Sequence, residues 1–223
     1  MPQSPPHKHQ PVRTAGAALD DARAALILLH GRGASAQGIL RLAGELDVPD
    51  VAALAPQATM RSWYPQSFMA PTEQNEPELS AALDVVGDVL GTIRDAGLSA
   101  GRTVLLGFSQ GACLATTYAA RNPQRYGGVV GLSGGLIGPD GSRDTFEYDG
   151  SLDGTPVFLG CSDEDPYIPE QRVHETADAL RQLDADVTTR IYEGLGHTTN
   201  EDEIEHVRAL LRRLIAPPAD ERE

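Results

Sequence analysis

The stretch Val104-Leu-Leu-Gly-Phe-Ser-Gln-Gly-Ala112 leaves few folds open to this chain. An apolar run of strand character enters Gly107-Phe108-Ser109-Gln110-Gly111 and leaves as a helix, which is the setting of a G-x-S-x-G nucleophile elbow. A strand that turns sharply into a helix strains its central residue and brings neighbouring chain close, so glycine is wanted two positions before and two after. The strain holds the Ser109 hydroxyl above the sheet edge. The unpaired N–H groups at the start of the helix aim at the same spot. The sheet and the partners of that serine must come from the rest of the chain.

The sheet is legible in the apolar runs. Ala24-Ala-Leu-Ile-Leu-Leu-His30 is continuous, the pattern of a strand buried on both faces. Residues 51–55, 126–133 and 155–161 read as further strands, 12–18 as an edge strand and 186–192 as the last. Between them, Ser35 is placed to cap a helix reaching about Leu46. Leu79, Leu83, Val86, Leu90 and Ile93 recur three and four apart, giving an amphipathic helix over 78–96 that Gly97 ends. Residues 110–121, 170–183 and 201–215 supply the other helices, and 138–154, rich in Gly, Asp and Ser, reads as loop. Alternating strands and helices imply an α/β fold with a mainly parallel sheet and helices on both faces. The expected organisation is a disordered tail over 1–11, one domain over 12–216 and a polar tail over 217–223.

Charge narrows the partners. With 32 acidic and 18 basic residues the net charge is −14, which argues against nucleic acid and against adsorption to an anionic membrane. No apolar run is long enough to span a bilayer, and the first residues lack a hydrophobic leader, so a cytoplasmic location is expected. Cys113 and Cys161 are not in metal-ligand spacing, and Cys113, just after the elbow, reads as a small buried thiol. His7 and His9 flank Lys8 without further ligands nearby. No metal and no organic cofactor is expected.

In a parallel sheet, ligands bind beyond the carboxyl ends of the strands. His30-Gly-Arg-Gly-Ala-Ser35 follows a central strand but matches neither a dinucleotide nor a P-loop pattern. It is either a tight turn that needs glycines or the source of a second oxyanion donor. The backbone N–H groups of Arg32 and Gln110 would then act together. A serine hydroxyl needs a base and an oriented partner for that base. His197, in a Gly-flanked loop after the last strand, is the candidate base. Asp163, Glu164 and Asp165 are neighbouring acids; Asp165, fixed by Pro166, is preferred, with Asp163 as fallback. The irregular segment 57–77 carries Trp63, Tyr64, Phe68 and Met69. It is either a wall of the substrate pocket, formed by Trp63, Phe68 and Met69, or a surface loop whose aromatics pin it to the core.

The motifs Leu29-His-Gly-Arg-Gly33, Gly107-Phe-Ser-Gln-Gly-Ala112, Asp165-Pro-Tyr-Ile-Pro169 and Gly194-Leu-Gly-His197 together resemble the phospholipase/carboxylesterase family of α/β-hydrolases, which includes the acyl-protein thioesterases. The resemblance covers about residues 24–215. It implies an α/β-hydrolase fold without a large cap domain and a serine esterase acting on carboxylic esters, thioesters or lysophospholipids. It also implies a Ser109, Asp165 and His197 triad with Arg32 and Gln110 at the oxyanion. Two positions depart from the family pattern. Arg32 stands where thioesterase members carry an apolar residue, and Cys161-Ser162-Asp163 replaces the usual His-Gly before the acid. Both point toward small-molecule esters. The rival readings are a hydrolase of another acyl bond, such as a lactone, and a non-catalytic binding protein on the same fold. Either a monomer or a homodimer is compatible with the sequence.

Overall fold

The computed structural model describes residues 6–139 and 148–216. Its strands are β1 (Val12–Gly16), β2 (Ala24–Leu29), β3 (Val51–Pro56), β4 (Thr103–Phe108), β5 (Gly128–Leu132), β6 (Pro156–Ser162) and β7 (Asp186–Tyr192). Its helices are α1 (Ala36–Leu46), α2 (Glu78–Asp95), α3 (Gln110–Arg121), α4 (Glu170–Gln182) and α5 (Glu201–Ile215). The strands form one sheet in the order β1-β3-β2-β4-β5-β6-β7, parallel except for the edge pair β1 and β3.

The apolar runs are continuous because both faces of the sheet are covered. Along β2, Ala25, Ile27 and Leu29 join the core beneath α2, α3 and α4, while Ala24, Leu26 and Leu28 join the core beneath α1 and α5. The chain leaves β2 toward one edge through α1 and β3. It then crosses back over β2 through α2 to β4 and proceeds to the other edge. The order therefore reverses between β2 and β4, and a crevice opens beyond their carboxyl ends. His30–Ser35 and Ser109 lie there. No cap domain interrupts this arrangement among the described residues, and no described helix is long and apolar enough to cross a membrane.

The tail expected over 1–11 needs correction from Pro6 onward. His7 is buried, and its backbone N–H donates to Thr59 Oγ1 at 3.1 Å. A single imidazole that finds two polar partners on a distant loop is enough to order this segment, and no periodicity announces it. The expected polar tail at 217–223 and the loop residues 140–147 lie outside the described residues.

Candidate active site

The elbow is built as its glycines require. Ser109 has φ 56° and ψ −122°, a conformation that costs a non-glycine residue roughly 1–3 kcal/mol and is held by its surroundings. A Cβ on Gly107 would lie 2.1 Å from the Gly111 carbonyl, and one on Gly111 would lie 2.0 Å from the Leu29 carbonyl oxygen. Side chains at either position would drive β4, α3 and β2 apart. The Ser109 N–H donates to Leu132 O at 2.9 Å, which fixes the turn to the end of β5.

Three loops converge on the serine. His197 Nε2 lies 2.9 Å from Ser109 Oγ, and His197 Nδ1 lies 2.7 Å from Asp165 Oδ2. The Asp165 side chain has no exposed surface. Its other oxygen accepts the backbone N–H groups of Tyr167 (2.9 Å) and Ile168 (3.1 Å). Burial by itself would raise the Asp165 pKa. The His197 hydrogen bond and the two N–H donors outweigh it, so the carboxyl sits below its ordinary value and is ionised at neutral pH. The His197 ring packs beside Phe108 and meets Tyr167 edge-on.

Asp163, the fallback acid, does something else. It accepts the Gly194 N–H at 2.8 Å, and Ser162 Oγ accepts the Gly196 N–H at 2.9 Å. Together they anchor the loop that carries His197. The Ser162 hydroxyl, at a position the sequence marked as a departure, thus has a structural task.

On the other side of Ser109 is the 30–35 loop. A Cβ on Gly31 would stand 3.3 Å from Ser109 Cβ, so this loop packs directly on the elbow. Among the described residues no acceptor takes the Arg32 N–H, and Gln110, as the first residue of α3, has one of the helix's unpaired N–H groups. Both residues line the cleft together with Ser109. The Arg32 side chain is exposed but tethered, and no acid among the described residues pairs with it. Nη1 donates to Pro65 O at 2.8 Å and Nη2 to Gln66 O at 2.6 Å, and the guanidinium lies over the Tyr64 ring at 5.9 Å.

The cleft in front of Ser109 has a volume of about 640 Å³, and Tyr64, Phe68, Phe108, Tyr167 and Ile168 form its apolar lining. Of the three wall residues expected from sequence, Phe68 faces the cleft. Trp63 does not: it is fully buried beneath the loop, with its indole N–H donating to His30 O at 2.8 Å. Met69 packs against the core instead of the cleft. The alternative reading, aromatics pinning the loop to the core, describes Trp63.

Several side chains position the site in ways that the sequence motifs do not specify. The buried Gln110 side chain accepts the Trp63 N–H at 2.9 Å and donates to Tyr64 O at 2.8 Å, tying the cleft wall to the elbow. His30 Nε2 accepts the Ala58 N–H at 3.1 Å, which leaves Nδ1 as the donor to Gly31 O at 2.7 Å. His7 Nδ1 accepts the Thr59 N–H at 3.0 Å, which leaves Nε2 to donate to Trp63 O at 3.1 Å. Both imidazoles are neutral in this pairing, and burial holds both pKa values below the ordinary histidine value. Asn75, fully buried, bridges the Gln66 N–H and Ser67 O. Among the described residues no group of three or more His, Cys, Asp or Glu side chains is placed to hold a metal ion.

Fold and site together define an α/β-hydrolase with a serine at the elbow. The chain belongs to the phospholipase/carboxylesterase family, whose model matches residues 15–215. A phospholipase/carboxylesterase of Dyadobacter fermentans has a crystal structure that superposes with a TM-score of 0.85 at 40% identity, covering 91% of this chain and 96% of that one. Acyl-protein thioesterase 1 of Gibberella zeae is 32% identical over 123 residues, which span 55% of this chain and only 52% of that protein. Acyl-protein thioesterase 1 of Emericella nidulans is 27% identical over 222 residues, 89% of this chain and 93% of that protein.

Proposed function

We propose that this protein is a serine carboxylesterase that hydrolyses small-molecule carboxylic esters through an acyl-enzyme. The hydrogen-bonded series Ser109–His197–Asp165, at 2.9 and 2.7 Å, carries the reading. His197 Nε2 takes the Ser109 proton as Oγ attacks the ester carbonyl. Asp165 holds Nδ1–H and balances the imidazolium that forms. The N–H groups of Arg32 and Gln110 receive the oxyanion, each worth roughly 3 kcal/mol in comparable sites. His197 then protonates the leaving alkoxide, and a water activated by the same imidazole releases the acid and restores Ser109. The 640 Å³ cleft suits a molecule of drug size or smaller. On this reading the enzyme acts in the cytoplasm.

The test is hydrolysis of 4-nitrophenyl acetate, butyrate and octanoate, with the corresponding acyl thioesters alongside. Wild type should turn over the short oxygen esters, and Ser109→Ala or His197→Ala should lower kcat by about 10⁴-fold or more. Wild-type rates in Ser109→Ala would reject the mechanism.

A further inference from the structure

We infer that the cleft selects esters bearing a second, anionic group, a carboxylate bound by the Arg32 guanidinium. The inference rests on the carboxylesterase reading and names its substrate class. Among the described residues that line the cleft, Arg32 carries the only fixed charge; the others are apolar, uncharged polar or the imidazole of His197. The protein holds 32 acidic residues against 18 basic ones. Yet among the described residues no carboxylate pairs with Arg32. An arginine left without an acid in so acidic a chain keeps its full positive charge for whatever enters the cleft.

Its placement is fixed in advance. The carbonyls of Pro65 and Gln66 engage two of the five N–H donors, and the Tyr64 ring supports one face of the plane. Three donors remain. A guanidinium already immobilised loses little further freedom on binding, and its planar fork matches a carboxylate. The backbone of the same residue flanks Ser109, so the anion would lie one arginine side chain away from the reacting carbonyl. The net charge of −14 does not cancel the attraction: acidic residues beyond the Debye length of about 8 Å are largely screened, while a direct contact with the exposed guanidinium at the cleft is weakened by salt without being abolished.

The test uses two matched pairs of esters. One pair puts the carboxylate on the acyl side, mono-4-nitrophenyl glutarate against its methyl diester. The other puts it on the alcohol side, 4-acetoxybenzoate against methyl 4-acetoxybenzoate. Rates are corrected for uncatalysed hydrolysis, and the ratio of kcat/KM within each pair is compared among wild type, Arg32→Lys and Arg32→Gln. Taking the ratio cancels any loss of activity common to both members. Wild type should prefer the carboxylate member of at least one pair by about tenfold or more, less at high salt. Arg32→Lys should keep part of that preference, and Arg32→Gln should bring it to unity. Equal rates in wild type for both pairs, or a preference that survives Arg32→Gln, would overturn the inference while leaving the esterase reading intact. Failure of wild type to hydrolyse any of the four esters would overturn the esterase reading and this inference with it.

Discussion

Gln110 has two tasks at one position. Its backbone N–H opens α3 beside Ser109, and its side chain holds Trp63 and Tyr64. Substitution by alanine keeps the first and removes the second, leaving the buried Trp63 N–H without its acceptor and the Tyr64 carbonyl with Ser62 Oγ alone. Gln110→Ala should therefore lower stability by about 1–3 kcal/mol in denaturant titration. It should also reduce kcat/KM by loosening the wall that carries Phe68. Gln110→Glu should be worse, because a carboxylate facing Tyr64 O replaces a donor with an acceptor; stability equal to wild type would contradict the assignment. Gly111→Ala belongs to the same scale. With the new Cβ at 2.0 Å from Leu29 O, the elbow cannot close, and the variant should be recovered only as unfolded or aggregated protein.

At the scale of elements, the loop between β3 and α2 depends on polar side chains that reach it from elsewhere. His7, His30 and Gln110 each bind its backbone from positions remote in sequence. Both histidines have pKa values lowered by burial, so the unfolded chain binds more protons than the native one as pH falls below the ordinary value of 6.5. Their contribution is fully present above that value and is lost as pH falls through their folded pKa values. Protection factors of the Ala58 and Thr59 amides, measured against the intrinsic exchange rate at each pH, should fall between pH 7 and pH 5. Replacing His7 by alanine should give faster exchange already at pH 7. Unchanged protection in His7→Ala would remove the histidine from this role. The dependence also explains what was legible. Strands and helices were readable to within a few residues because burial on two faces, or on one stripe, imprints a period on the sequence. The elbow, the Asp165 loop and the His197 loop were readable because strained turns demand particular residues at fixed spacing. Trp63 and Met69 were misplaced because a large apolar side chain on an irregular loop gives the same signal whether it lines a cleft or fills the space beneath one. The order of residues 6–11 and the clamp role of His30 were invisible, since a single buried imidazole leaves no period.

Across the whole molecule, the reversal of strand order between β2 and β4 places the Arg32 loop and Ser109 at one crevice, and β6 and β7 deliver Asp165 and His197 to its rim. The far side of the sheet has its own titrating group. Glu203 in α5 is fully buried, accepts the Asn200 N–H with one oxygen and holds the other against Gly160 with no hydrogen-bond partner among the described residues. Burial raises its pKa to about 7. The native state thus holds a proton there that the unfolded state releases. Stability from this group is present below the ordinary carboxylate value of 4.5 and is lost as pH rises through about 7. Wild type should lose on the order of 3 kcal/mol between pH 5 and pH 9 from this source, and the pH dependence of Glu203→Gln should be flatter over that range. The central claim, an activated serine at the elbow, is tested most directly by intact-mass analysis after treatment with a fluorophosphonate. Wild type should gain a single adduct that maps to Ser109, and Ser109→Ala should gain none. Folded wild type that stays unlabelled, or an adduct that persists in Ser109→Ala, would contradict the account.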